Sequence, residues 1–437
     1  MFEIRKYVRE HTCSVVTRQE NVRPAPAWVI GECVKPKYMD HHHDHLPKKI
    51  MEDMQTSYGI SMSYNKAWRS REKALMAVRG TVEDSYGKLP SYLYMLQKKN
   101  PGTLTDIQTD ELGQFRYMFL SIGVSISGFL SSCRPVICVD ASFLKHKIGG
   151  QLLVAIALDA NEQLYPVAFG VVDSENNNSW MYFMQKLRGA IGSVPELVFV
   201  SDRHPSIANA LSVVFPEAHH GACTYHIKMN IMAKFKTDCC HDVFESASRA
   251  FTVSAFNRYF DRIRVRHPGI AAYLEAIGLE RWSRALFPGK RYNVMTSNYA
   301  ESFNSQCRNA RKYPISTLVE YLRFTIQSWF NDRRQKASKN TEHLSPHSEA
   351  YLRDLVEKSR LYIVDPLNRY EFNVHDGQSY FQVNFRAMTC TCRVYDALGL
   401  PCTHALFAAR KRNINAYDFC SRLENESNYS HVEHITI

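Results

Sequence analysis

Between residues 135 and 215 the chain alternates short β-rich runs with helical text. PVICVD (135–140), GQLLVAIALDA (150–160) and LYPVAFGVVD (164–173) are dense in Val, Ile, Leu and aromatic residues. Short polar linkers separate them, with Gly-Gly before the second and Asn-Glu before the third. Runs of this length and spacing predict a three-stranded antiparallel meander. SWMYFMQKLRGAIG follows with helical period, Ser179 as its expected N-cap and Gly192 at its end. ELVFVSD (196–202) predicts another buried strand, and PSIANALSVVF a helix with Pro205 near its start. Together these elements predict an α/β fold, a mixed sheet covered by helices.

The flanks differ. Residues 57–130 read as a helical connecting region. The uncharged stretch YMFLSIGVSISGFLSSC (117–133) is rich in Ser and Gly and short for a membrane span. It is expected to be a buried segment leading into a core strand. Residues 227–296 are helical in period without a convincing strand. SNYAESFNSQCRNAR (297–311) predicts a capped helix and STLVEYLRFTIQSWFNDRR a longer amphipathic one. Residues 336–368 are polar and read as a linker, some of it open to helix. RYEFNVHD and SYFQVNFRAMTCTC then predict a small strand-rich module. The tail, 417–437, carries no readable pattern.

Composition narrows the class. With 437 residues, 45% of them hydrophobic and 22% charged, the chain is expected to be soluble and to fold as two or three domains. Twelve cysteines at this length are no disulfide scaffold, which favours a reducing compartment, cytosol or nucleus. MFEIRKYVREHTC lacks an apolar h-region, so no secretory leader is expected. HHHDH (41–45) reads as a polar loop rather than a metal site. The net charge of +11 favours a polyanionic partner. The excess concentrates in residues 281–340, which hold twelve Lys/Arg against three Asp/Glu. Arg281, Arg284, Lys290, Arg291, Arg308, Arg311 and Lys312 are the candidate DNA contacts there. The residues alone leave open a merely solvated basic face.

Three acids are candidates for chemistry. Asp140 and Asp202 each end a short apolar strand. If those strands lie side by side and parallel, the carboxylates converge at the carboxyl edge of the sheet, where ligands gather. Paired carboxylates repel unless a cation lies between them, and a hard ion such as Mg²⁺ suits them. A turn-forming or capping role for both remains open at this point. Glu301, early in the 297–311 helix, is the candidate third acid for a two-metal site. A first-turn Glu paired with the helix dipole is the alternative.

The tail of the strand-rich module, TCTCRVYDALGLPCTHAL, holds a tighter signal. Cys390-x-Cys392 and Cys402-x-His404 supply four ligands at a spacing suited to a closed tetrahedral zinc. With no open ligand position, such a site is structural rather than catalytic.

These residues carry a resemblance. VICVDASFLKHKIGGQLLVAIALDANEQLYPVAFGVVDSENNNSWMYFMQKL, VFVSDRHPSIANAL, CTYH and TSNYAESFN resemble the Mutator-like (MULE) transposase domain, over about 134–330. The resemblance implies a ribonuclease-H-like DDE integrase fold with a helical insertion at about 227–296. It implies a catalytic triad of Asp140, Asp202 and Glu301 holding Mg²⁺ or Mn²⁺. Cys223-x-x-His226 matches a Cys-x-x-His signature of the group, with an implied role in positioning the active site. Residues 370–413 resemble a SWIM zinc finger, with Cys390, Cys392, Cys402 and His404 as ligands. Residues 1–40 are similar to the back half of a MuDR-type DNA-binding finger. His11 and Cys13 would be its last ligands, a truncated set that holds no zinc. The expected partners are DNA carrying an element's terminal repeats and a second copy of the chain, with no membrane. The expected compartment is the nucleus. The implied function is a DDE transposase. A domesticated nuclear DNA-binding or transcription-regulating protein and an inactive remnant are the alternatives.

Overall fold

The computed structural model describes residues 25–39, 45–339, 342–358, 362–421 and 423. His11, Cys13 and residues 41–44 of the histidine tract lie outside them. The chain divides into two compact units, Met1–Lys88 with Tyr313–Tyr321, and Leu89–Lys312 with Leu322–Ile437.

In the first unit the helices Ala27–Val34, Pro47–Tyr58 and Tyr64–Arg79 share a core of Ile30, Val34, Tyr38, Ile50, Met54, Ala67 and Ala74. Ser63 caps the third helix by accepting the Lys66 N–H. A Cβ at Gly31 would meet the Ser70 carbonyl oxygen at 3.0 Å and the Ala74 nitrogen at 3.2 Å. The absent side chain therefore lets the first helix rest its backbone on the third. His45 Nε2 lies 2.8 Å from Asp53 Oδ2.

The second unit is organised by a seven-stranded sheet. Its strands are β1 (Leu104–Thr109), β2 (Phe115–Ser121), β3 (Val136–Phe143), β4 (Gln151–Leu158), β5 (Leu164–Val172), β6 (Val198–Ser201) and β7 (His219–Ala222). Their spatial order is β1-β2-β5-β4-β3-β6-β7. The expected meander is β3-β4-β5, antiparallel throughout, while β3, β6 and β7 run parallel. Strand β4 is buried along its whole length, as its continuous apolar run requires of a central strand.

Several expectations change here. Residues 57–130 are not wholly helical, because β1 and β2 form an antiparallel hairpin that extends the sheet beyond β5. The 117–133 stretch splits between β2 and the helix Gly123–Ser132. Among the described residues no helix is long and apolar enough to cross a membrane. Strand β7 reads His-His-Gly-Ala and carries no apolar period, so its place at the sheet edge comes from pairing with β6. The helix Asn177–Ile191 is capped by Asn176 rather than Ser179, the two residues exchanging bonds in a reciprocal capping box.

Helices Thr224–Phe235, His241–Arg249, Val253–Arg266, Pro268–Ile277 and Leu279–Trp282 fill the predicted helical segment. They close around the buried indole of Trp282, which packs on Phe244, Phe256 and Phe260. The 336–368 segment is more ordered than a linker, with a helix at Pro346–Lys358 and a strand β8 at Ile363–Pro366. Strands β9 (Glu371–His375), β10 (Tyr380–Asn384) and β11 (Thr389–Cys390) complete a second, antiparallel sheet in the order β11-β10-β9-β8. The helix Thr403–Lys411 packs against it, burying Ala405, Ala408 and Ala409 with Phe372, Val374 and Val383.

Candidate functional site

Sheet register sets the first site. Val136, Ile137 and Cys138 of β3 pair in parallel with Val198, Phe199 and Val200 of β6. Asp140, two residues beyond Cys138, and Asp202, two beyond Val200, therefore lie at the same level on neighbouring strands, although Asp140 does not end its strand as expected, since β3 runs on to Phe143 in pairing with β4. The Asp202 carboxylate accepts the His204 N–H at 3.0 Å, an Asx turn that leads into the helix Pro205–Val214.

The helix Asn298–Gln306 packs on β3 and β4 and carries Glu301 in its first turn. Three residues later, on the same face, Asn304 donates its side-chain N–H to Asp140 Oδ2 at 2.7 Å. Its carbonyl accepts the Ser142 hydroxyl at 2.9 Å. Asn304 was not foreseen, although the i, i+3 spacing from Glu301 is a readable signal.

Burial drives the electrostatics of Asp140. Its carboxyl is pushed up to about 7, chiefly by desolvation, and the charges of Glu301 and Asp202 add to this. The Asn304 bond and the Ala141 N–H oppose the rise. Asp140 thus senses both other acids, although the three do not form a closed ligand cluster. Among the described residues only two groups of three or more ligands have all their donor atoms within 4.8 Å of one another. One is Cys223, His226 and Glu301; the other is Cys390, Cys392, Cys402 and His404.

In the first of these, Ser297 N–H donates to the buried Cys223 sulfur at 3.2 Å. His226 Nε2 lies 3.7 Å from Glu301 Oε1, each side chain about a third exposed. The bond to Cys223 raises the imidazole to about 9 against its partial burial, and the charges of Cys223, Glu301 and Asp202 add to the rise. Burial would raise the Cys223 thiol, but bonds from His226 and Ser297 outweigh it and hold the thiol below its ordinary range.

The second group is the tight motif of the C-terminal module. Strand β11 and the turn after it present Cys390 and Cys392, while the start of the helix Thr403–Lys411 presents Cys402 and His404. His404 Nδ1 lies 3.6 Å from the Cys390 sulfur and 3.9 Å from that of Cys402. Its ring is stacked between Phe381 and Tyr362. Bonds from the Cys390 and Cys402 thiols push Cys392 far down, and those two thiols rise in turn. A shared charge among three sulfurs fits a soft divalent ion.

The MULE transposase domain family matches residues 136–230, and the SWIM zinc finger family matches residues 381–413. The chain carries a MULE transposase domain and a SWIM zinc finger. The SWIM match contains all four Cys/His ligands. The MULE match contains Asp140, Asp202, Cys223 and His226 and ends before Glu301. The chain is 22% identical over 187 residues to the transposase for insertion sequence element IS1081 of Mycobacterium tuberculosis, covering 39% of this chain and 44% of that protein. It is 22% identical over 160 residues to the transposase for IS1201 of Lactobacillus helveticus, covering 35% and 43%. The protein FAR1-RELATED SEQUENCE 4 of Arabidopsis thaliana is 18% identical over 242 residues, covering 53% of this chain and 31% of its own length. The chain therefore spans less than half the length of these curated relatives.

The basic residues that follow the MULE match do not act alike. Arg291 is only 2% exposed, and its guanidinium donates to the carbonyls of Val294, Arg281, Ala222 and Met295 at 3.1–3.3 Å. That corrects its expected role as a DNA contact, since its donors are spent tying β7 to the 291–295 turn. Arg284 is half-buried over the Phe251 ring and bonded to Asn293, and burial pulls it down to about 10. Arg281 is half-buried beside His220. Arg311 is half-buried and donates to the Phe143 carbonyl at 3.0 Å. Lys290, Arg308 and Lys312 are exposed. Residue type and position could not separate these classes, because the difference is one of burial.

Proposed function

We propose that this chain is the core of a Mutator-like DDE transposase that cuts and joins DNA strands by metal-dependent phosphoryl transfer. One observation carries the reading: parallel pairing of β3 with β6 sets Asp140 beside Asp202, and the Glu301 helix is bonded to Asp140 through Asn304. The sheet order β5-β4-β3-β6-β7, antiparallel then parallel, supports a ribonuclease-H-like core. The helical segment between His226 and Ser297 corresponds to the insertion expected before the final acid.

The acids fit hard divalent ions. They offer only oxygen donors, and Asp140 is a buried carboxyl whose ionisation burial and its two acidic neighbours oppose. Asp140, Asp202 and Glu301 would hold Mg²⁺ or Mn²⁺, which when bound supplies charge at the reacting phosphate and a more acidic water or 3′-hydroxyl. Asn304 fixes the Asp140 rotamer by holding Oδ2. His226 faces Glu301 and orients its carboxylate. Lys290, Arg308 and Lys312 bind backbone phosphates through long-range charge and read no sequence. The SWIM finger takes one structural zinc on Cys390, Cys392, Cys402 and His404.

Alignment with the plant protein covers more of this chain than either insertion-sequence match. That relative is not named a transposase, and the second reading is a nuclear DNA-binding protein, derived from a transposase, that no longer cuts. Both readings are tested by incubating the purified chain with Mg²⁺ or Mn²⁺ and DNA carrying candidate terminal repeats, beside Asp140→Asn. Cleavage by the wild type and its loss in the variant supports the first reading. DNA binding with equal absence of cleavage in both proteins supports the second.

A further inference from the structure

Cys223, His226 and Glu301 keep their donor atoms within 4.8 Å of one another, as the SWIM quartet does, yet of the three only Glu301 is a ligand in the acid site. Two helix starts build it. Cys223 is the N-cap of the helix Thr224–Phe235 and His226 lies in its first turn, while Glu301 lies in the first turn of Asn298–Gln306. The two starts are stapled together. Both the N–H and the hydroxyl of Thr224 donate to the Met295 carbonyl at 3.0 Å, and Ser297 N–H donates to the Cys223 sulfur. The sulfur therefore sits where two helices present their positive ends, a setting that favours thiolate.

The geometry points to a binding site for a thiophilic divalent ion of the zinc class, held by Cys223, His226 and Glu301, which competes with the hard-ion site for Glu301. Donor atoms around a tetrahedral zinc, with bonds of about 2.0–2.3 Å, lie roughly 3.3–3.8 Å apart. The 3.7 Å from His226 Nε2 to Glu301 Oε1 is a few tenths of an ångström beyond the roughly 3.3–3.5 Å of a nitrogen–oxygen pair on one zinc, a gap that a small carboxylate rotation closes. A sulfur, a nitrogen and an oxygen donor favour zinc over Mg²⁺ by type, while Asp140 and Asp202 favour Mg²⁺. Partial exposure of His226 and Glu301 gives the ion an entry path and a water in its fourth position. Binding releases any thiol proton to solvent and turns the Glu301 carboxylate toward Cys223, away from Asp140. The inhibitory consequence rests on the functional reading above; the site itself does not.

Zinc content of the full chain after dialysis against buffered micromolar zinc tests the site directly. Wild type is expected to hold two equivalents, and Cys223→Ser and His226→Gln one each. Cys402→Ser is expected to lose the SWIM ion instead. A single equivalent in wild type, or two in both Cys223→Ser and His226→Gln, overturns the proposal. Mg²⁺-dependent DNA cleavage, measured with and without added zinc, tests the consequence. Zinc is expected to suppress the wild type, with the ratio of the two rates returning toward one in Cys223→Ser. An equal ratio in both proteins refutes competition for Glu301. Absence of cleavage in every protein refutes the functional reading, and the zinc count still decides the site.

Discussion

The two candidate metal sites proposed for this chain are assembled by opposite means. The SWIM quartet draws its ligands from residues 390–404, so a short strand and one helix start suffice to gather them. The proposed acid site draws on Asp140, Asp202 and Glu301, which are brought toward one another only through the register of β3 with β6 and the packing of a distant helix. The local site is closed, with every donor within 4.8 Å of the others. The long-range one is open, and Glu301 and Asp202 add to the cost that burial sets on ionising Asp140. A structural ion needs a complete ligand set, whereas a catalytic one needs positions left for water and substrate.

The sharpest way to break the comparison is to remove a local ligand. Cys402→Ser should abolish SWIM zinc and unfold residues 370–413, since such ions contribute on the order of 10 kcal/mol to the folding of small modules. Metal analysis and hydrogen exchange of that segment check it, and the sheet around Asp140 should keep its protection.

Next in size is Arg291. Replacing its buried guanidinium with Met leaves four carbonyls without that donor and should destabilise the second unit by about 3 kcal/mol or more, read from urea unfolding. Neutralising exposed Arg308 and Lys312 should leave stability unchanged and flatten the salt dependence of DNA binding.

A pH experiment probes the strand edge beside the acids. Burial, with the charges of Arg281 and Arg291, pulls His220 down to about 4, and its Nε2 is 2.8 Å from the Ser201 hydroxyl. Below its ordinary value the unfolded chain takes a proton that the folded chain refuses. The stabilisation is therefore whole above about pH 6.5 and is lost as pH falls toward about 4, on the order of 3 kcal/mol in all. His220→Gln should remove that share of the acid sensitivity, measured as the difference between unfolding curves at the two ends of the window.

The smallest expected effect is at Asn304. Replacing it with Leu removes one bond to a carboxylate, worth about 1.5–3 kcal/mol, and should slow metal-dependent cleavage by roughly 10- to 100-fold with DNA affinity unchanged. Loss of affinity instead would assign Asn304 to DNA binding.

Legibility in the sequence followed the same division. The Cys/His quartet, the β3-β4-β5 meander and the end of β6 were readable, because spacing and apolar runs are local signals, whereas β3 runs past Asp140 to Phe143 through its pairing with β4. Strand β7 was not, since His219-His220-Gly221 owes its place to its neighbour. Arg291 looked like its exposed neighbours because burial is a tertiary property. The β1-β2 hairpin was hidden in a region whose first half is helical.

The central claim is that Asp140, Asp202 and Glu301 act as one hard-metal site. Mn²⁺ binding to the chain holding a single zinc equivalent, on the SWIM ligands alone, in the presence of DNA and followed by electron paramagnetic resonance, decides it. The account predicts tight Mn²⁺ binding that Asp140→Asn, Asp202→Asn and Glu301→Gln each weaken, while Cys402→Ser does not. Binding untouched by any of the three acid substitutions would contradict it.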